Sequence, residues 1–236
     1  MKRIFFHIAV SLFTFTVALC VTGMFRLYFK PDVTLPEVVK IQREFSCFPG
    51  RSARVLKSTS QTEYFPVAEL SDDFWGRRFR NGWYSRQLEA MNELPLAALT
   101  QEDESYRFLW LRAFHQPVMV HVWRSGIRHF IVVKRLNGRS GYNVGTFDLY
   151  WSRSLSEDDW DSFLMRLEQS AFWLMPTNDD DVLAHDGAQW IMEGYREDRY
   201  HIVDRQSPAA SAYADACLYL LKQSGLLAEI PSDEIY

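Results

Sequence analysis

Between Arg3 and Arg26 the chain runs for 22 residues without a single Asp, Glu, Lys or Arg, and Phe, Val, Leu and Ile dominate the run. Wound as a helix, that stretch is about 33 Å long, enough to cross a hydrocarbon core of about 30 Å. Three fates compete: a membrane anchor, a cleaved leader, or a helix buried in a core. The apolar part of a secretory leader usually spans about 7–15 residues, so this run is long for one. Val21-Thr22-Gly23 does offer a peptidase small or branched residues, and cleavage stays open on that ground. Val17-Ala18-Leu19-Cys20 has the outline of a lipoprotein signal, but Leu19 is too large for the position before the cysteine. The reading adopted is one uncleaved N-terminal transmembrane helix within residues 1–30, contacting membrane lipid, with Tyr28 and Phe29 at the interface.

Charge is distributed to match. The net charge is −4, yet residues 1–25 carry +2, residues 26–86 carry +4 and residues 87–236 carry −10. A basic membrane-proximal part followed by an acidic solvated part is the expected pattern for an anchored domain. Lys2 and Arg3 hold the N-terminus in the cytoplasm, while Arg26, Lys30, Lys40 and Arg43 pull the other end the same way. A short tail ahead of a single anchor usually stays inside, so the expected topology is single-pass with an extracytoplasmic domain. The acidic balance argues against a nucleic-acid partner. Three cysteines are too few for a disulfide scaffold.

Residues 31–60, with Pro31, Pro36, Pro49 and Gly50 among scattered charges, read as a juxtamembrane tether. Residues 61–236 read as a single domain, large enough to bury about 70% of its unfolded surface without metal or disulfide. Ser85 is placed to cap a short helix in which Tyr84, Leu88 and Met91 share a side, ended by Pro95. Residues 106–114 alternate as a strand with two apolar faces. Pro117 opens a second strand, Ser125-Gly126 turns it into a third at 127–136, and a fourth spans about 145–153. The period then changes. Ser156 caps a helix with Trp160, Phe163, Leu164 and Leu167 on one stripe. A hairpin over 188–195 and 199–206 follows, and Ser207-Pro208 reads as the start of a last helix with Tyr213, Ala216, Cys217, Leu220 and Leu221 buried and Gly225 as its stop. The expected class is α+β: an antiparallel sheet of about six strands covered by two or three helices.

Candidate chemistry is sparse. A Ser125-Gly126 turn sets His121 beside Phe130 and His129 beside Val122, on opposite faces, so no metal site is expected. Asn178 to Asp181 lacks the alternation and glycine of a calcium loop, and the glycines of 138–145 lack the spacing of a phosphate loop. No cofactor is expected. Cys47 and Cys217 could pair in an exported domain, although Cys217 on a helix stripe suits a small buried hydrophobe. The arginine- and aromatic-rich stretch from Trp75 to Arg86 reads as surface arginines packed on rings, with anionic headgroups as its alternative ligand.

The densest polar and aromatic cluster is His185 to Pro208. With Glu197-Asp198 as the turn, Trp190 opposes Arg205 and Gly194 opposes His201. These share a face with Met192 and Val203, whereas Glu193, Tyr200 and Asp204 share the other. Trp190, His201 and Arg205 are the candidate binding residues for an anionic or peptide partner. Asp186, Glu193 and His201 are the alternative, catalytic set of a small hydrolase or transferase, weakened because a regular hairpin separates Glu193 from His201.

The same cluster carries a resemblance. Asp186-Gly187, Trp190, Glu193-Gly194, Tyr200-His201 and Arg205 with Ser207-Pro208 match a DG-x-x-W-x-x-EG, YH, R-x-S-P signature. Together with Tyr106 to Val118 and the helix around Cys217, this resembles a family of uncharacterised bacterial proteins across about residues 104–225. Gln206 departs from the pattern, which places Trp there. The resemblance implies a bacterial source and no catalytic residues. The expected function is therefore a membrane-anchored or envelope-associated interaction module.

Overall fold

A computed structural model describes residues 64–66, 74–96, 104–141, 143–178 and 187–235, with side chains of the first helix described from residue 79 onward. The anchor, the tether, Cys47, Asp179 to Asp181, His185 and Asp186 lie outside the described residues. Among the described residues, no helix is long and apolar enough to cross a membrane.

The elements run α1 (Phe74–Ala90), β1 (Glu104–Arg112), β2 (Val118–Ser125), β3 (Arg128–Leu136), β4 (Phe147–Leu155), α2 (Glu157–Gln169), β5 (Ala188–Arg196), β6 (Arg199–Gln206) and α3 (Ala212–Gln223). Three short 3-10 turns, Phe172–Leu174, Leu226–Glu229 and Ser232–Glu234, complete the described chain. All strands pair antiparallel in one sheet ordered β4-β3-β2-β1-β5-β6, so the fold is α+β.

The sheet is apolar on both faces because helices cover both. On one face Tyr106, Phe108, Val120, Val133 and Met192 form a buried cluster with Trp160, Phe163 and Leu167 of α2 and Cys217, Leu220 and Leu221 of α3. On the other, Leu109, Leu111, Met119, Val132 and Ile191 cluster with Tyr84, Leu88 and Met91. Central β1 is buried along its whole length, which is why both of its alternating sets had to be apolar or paired.

Local signals explain most boundaries. Ser156 caps α2, its Oγ accepting from the Asp159 amide at 3.1 Å. Gly225, at φ +76°, follows the C-cap of α3 as the left-handed residue that stops it. Three expectations need correction. Helix α1 starts at Phe74, so Ser85 lies inside it and donates to Asn81 Oδ1 at 2.9 Å, one turn back, instead of capping. Helix α3 is capped by Ser211, not Ser207. Ser207 adopts φ +42° and closes the open end of the last hairpin, its Oγ accepting from the Ala188 amide at 3.0 Å.

The third correction is a register. The β2–β3 turn is Gly126-Ile127, with Ser125 opposite Arg128, so Val120 faces Val133 and Ile131 faces Val122. Gly126 at φ +60° supplies the conformation a two-residue turn needs at its first position. The shift is two residues, which preserves faces. His121 and His129 therefore do lie on opposite sides, at Val132 and Arg124.

Candidate functional site

The last hairpin has the expected register: Trp190 pairs with Arg205, Gly194 with His201 and Glu193 with Ile202 across a Glu197-Asp198 turn. Both turn residues have positive φ, 53° and 58°, the geometry of a type I′ hairpin. Trp190 is buried and packs on Phe108 and Trp110, with ring centroids 5.6 and 5.9 Å away. The Arg205 guanidinium, also buried, donates to the carbonyls of Pro176, Thr177 and Asp204 at 2.8–2.9 Å. Its Cζ lies 6.0 Å over the Tyr213 ring. His201 meets the Phe172 and Trp173 rings at 5.1 and 6.1 Å. Gly194 is glycine because a Cβ there would come within 2.7 Å of the Phe172 ring. The hairpin thus locks the 172–177 segment onto the sheet.

On the opposite face, Glu193 belongs to a buried ionic cluster. Arg107 of β1 donates from Nε to Glu193 Oε2 at 2.7 Å, with Nη2 at 2.6 Å, and Tyr200 donates to Oε1 at 2.9 Å. Arg107 Nη1 reaches the Leu94 carbonyl at 2.7 Å and Glu93 Oε2 at 3.5 Å. Lys134 of β3 pairs with Glu93 Oε1 and donates to the Met91 carbonyl at 2.8 Å. Burial alone would raise the Glu93 pKa, but Lys134, His121 and Arg107 together hold it down at about 2. Burial likewise opposes the Arg107 charge, and Glu193 with Glu93 more than restores it. Two cations and two anions neutralise each other and fasten residues 91–94 to the sheet.

The cluster contains an arrangement that resembles a hydrolytic relay. Ser105 Oγ lies 2.7 Å from His121 Nε2, and His121 Nδ1 lies 3.7 Å from Glu93 Oε2. All three residues are buried. A nucleophile needs a reacting atom within about 3 Å and a path to it, and the sealed position of Ser105 provides neither. The other catalytic set is not assembled: Glu193 and His201 point to opposite faces, and Asp186 lies outside the described residues. Nor do the described residues hold any group of three His, Cys, Asp or Glu able to bind a metal. Cys217 is a free, buried thiol whose pKa is pushed up by burial.

On α1, Trp83 donates to the Ser140 carbonyl at 2.7 Å and Tyr84 to Asp204 Oδ2 at 2.8 Å, so these aromatics of the 75–86 stretch face inward. Phe79 remains exposed.

A concave feature lies elsewhere among the described residues, at the end of the sheet where β1 and β3 finish. A cleft of about 380 Å³ is bounded by Arg112, Phe114, His115, Arg135 and Arg139, with Val118, Leu226 and Ile230 among its apolar lining and Glu229 and Glu234 from the C-terminal turns. Arg112 is held from behind by the Trp110 ring, 4.2 Å from its Cζ. Arg135 is oriented by Asp148, with Nε and Nη2 each 2.7 Å from Oδ2. Burial, then Arg112, lowers the His115 pKa, while Glu234 opposes them. Sequence reading missed this site because Arg112 and His115 lie 20 to 27 residues from Arg135 and Arg139 along the chain, at the ends of β1 and β3 that only the pairing brings together.

No protein-family model matches the chain, and neither curated proteins nor solved structures give a match.

Proposed function

We propose that this chain is a bacterial, single-pass membrane-anchored binding module, held to lipid by the 1–30 helix, whose α+β unit captures a protein or peptide partner outside the cytoplasm. The observation that supports it is the sheet-end cleft: three arginines and a histidine around an apolar floor, with Phe114 46% exposed at the rim. Concave sites with a few fixed polar groups on an apolar base are where ligands are held. Catalysis is the weaker reading, because the one nucleophile–base–acid array among the described residues is sealed.

Washing and crosslinking of native membranes test both halves of the proposal. The full chain should stay with the membranes through alkaline carbonate, and Arg139→Glu at the cleft rim should cut crosslinked partner at least about fivefold with an unchanged melting curve. Leu174→Glu, at an exposed position outside the cleft, should not. Release with an intact N-terminus would defeat the anchor, and equal loss from both variants would defeat the cleft.

A further inference from the structure

The cleft is already partly filled by the chain itself. Glu234, in the last 3-10 turn, places Oε2 3.4 Å from Arg112 Nη1 and 3.3 Å from His115 Nε2, and its carbonyl accepts from Arg112 Nη1 at 3.3 Å. Glu229, in the preceding turn, places Oε2 3.5 Å from Arg135 Nη1. Each of these glutamates is followed by an isoleucine, Ile230 and Ile235, and both isoleucines pack against the core. The cleft therefore meets a carboxylate on arginine twice, each time followed by a branched aliphatic side chain packed on the adjoining core, Ile230 at the cleft wall and Ile235 beside it.

The hold is loose. The charge contacts run 3.3–3.5 Å, longer than the roughly 2.7–2.9 Å of a tight charge-assisted bond. The Glu229 and Glu234 side chains are 39% and 38% exposed, and Pro231 to Asp233 are exposed. Arg135 binds Asp148 at 2.7 Å in the same cleft, so close geometry is available there and the glutamates do not reach it.

We infer that the sheet-end cleft recognises an acidic peptide segment of a partner protein, one in which a carboxylate side chain precedes a branched aliphatic residue, and that the Ser232–Glu234 turn competes with that segment in cis. The inference rests on the binding-module reading and deepens it by naming the ligand chemistry and the internal competitor. Displacing one partly exposed ion pair is worth up to about a fivefold change in affinity.

The test uses the full chain in zwitterionic nanodiscs and a synthetic peptide, acetyl-Ile-Pro-Ser-Asp-Glu-Ile-Tyr-amide, added in trans while binding is followed by isothermal titration calorimetry. Glu234→Gln removes the competing carboxylate from a partly exposed position and should bind the peptide about fivefold tighter than the unaltered chain. His115→Gln and Arg139→Gln should each weaken binding, and a peptide with Gln in place of Glu should bind less well, all with unchanged melting curves. Equal affinity of Glu234→Gln and the unaltered chain would overturn the internal competitor. Tight response to nanodiscs containing anionic lipid, without response to peptide, would overturn the peptide assignment and leave an anion site. No response to either, in any variant, would overturn the inference and the binding role of the cleft together.

Discussion

Replacing Glu193 by Leu should be among the most damaging single changes in the described protein. It leaves Arg107 fully buried, with only the Leu94 carbonyl at 2.7 Å and Glu93 at 3.5 Å to offset its charge. Breaking a buried ion pair by removing one partner costs about 3–5 kcal/mol, since the survivor keeps its desolvation penalty. Against a typical total of roughly 5–15 kcal/mol, that is a large fraction. For a domain of this size, each kcal/mol moves Tm by roughly 2–4 °C, so a fall of about 6–20 °C is expected. Removing both partners as Arg107→Met with Glu193→Leu leaves Glu93 paired with Lys134, and most of the loss should be regained. Urea unfolding followed by circular dichroism, with a constant m value, gives the three free energies and the coupling between the sites. A single-variant cost under about 1 kcal/mol, or a double variant costing the sum of its singles, would refute the idea that two buried charges hold each other in place.

Asp204 is buried and has its pKa raised to about 6, by burial first, against the opposing pull of Arg80, Tyr84 and Arg205. Below about pH 4 folded and unfolded chains both hold the proton; as pH rises from about 4 to 6 the unfolded chain releases it first, and stability falls by up to about 3 kcal/mol. Asp204→Asn should abolish that fall and stabilise the protein at pH 7, and an unchanged stability–pH curve would contradict it. Glu93 acts with opposite sign: its contribution is present above about pH 4.5 and lost as pH falls toward 2, so acid unfolding of Glu93→Gln should be shallower in that window. Val120→Asp or Val133→Asp, at facing positions under α2 and α3, should unfold the domain by burying an unpaired carboxylate; an unchanged melt for both would remove β2–β3 from the core. Arg205→Ala orphans the carbonyls of Pro176 and Asp204 and leaves that of Thr177 only its bond from the Asp204 amide, so it should cost about 2–4 kcal/mol while partner capture per folded molecule stays constant.

What the sequence made legible follows from the range of each signal. The Glu197-Asp198 turn fixes the last hairpin because both flanking strands alternate cleanly, and Ser156 announces α2 through a contact three residues away. Ile127 misled the neighbouring register: an isoleucine reads as strand, yet this one is 96% exposed at the tip of a turn. The start of α1 was hidden because its first turn carries no acidic residue, so Ser85 looked like the first cap. Arg107 passed as one polar residue in an apolar strand because its partners Glu93, Leu94 and Glu193 come from two other segments. The cleft was invisible for the same reason. Single residues at strand ends acquire meaning only through the sheet order.

The binding role of the cleft is tested most directly by a photo-crosslinking amino acid placed at Phe114, on the rim, or at Ile127, a still more accessible turn outside it. In native membranes, with the full chain, position 114 should give a discrete adduct that a Glu-Ile-containing peptide suppresses, and position 127 should give none. Adducts at 127 alone, or equal and unsuppressed adducts at both, would contradict a partner site at the end of the sheet.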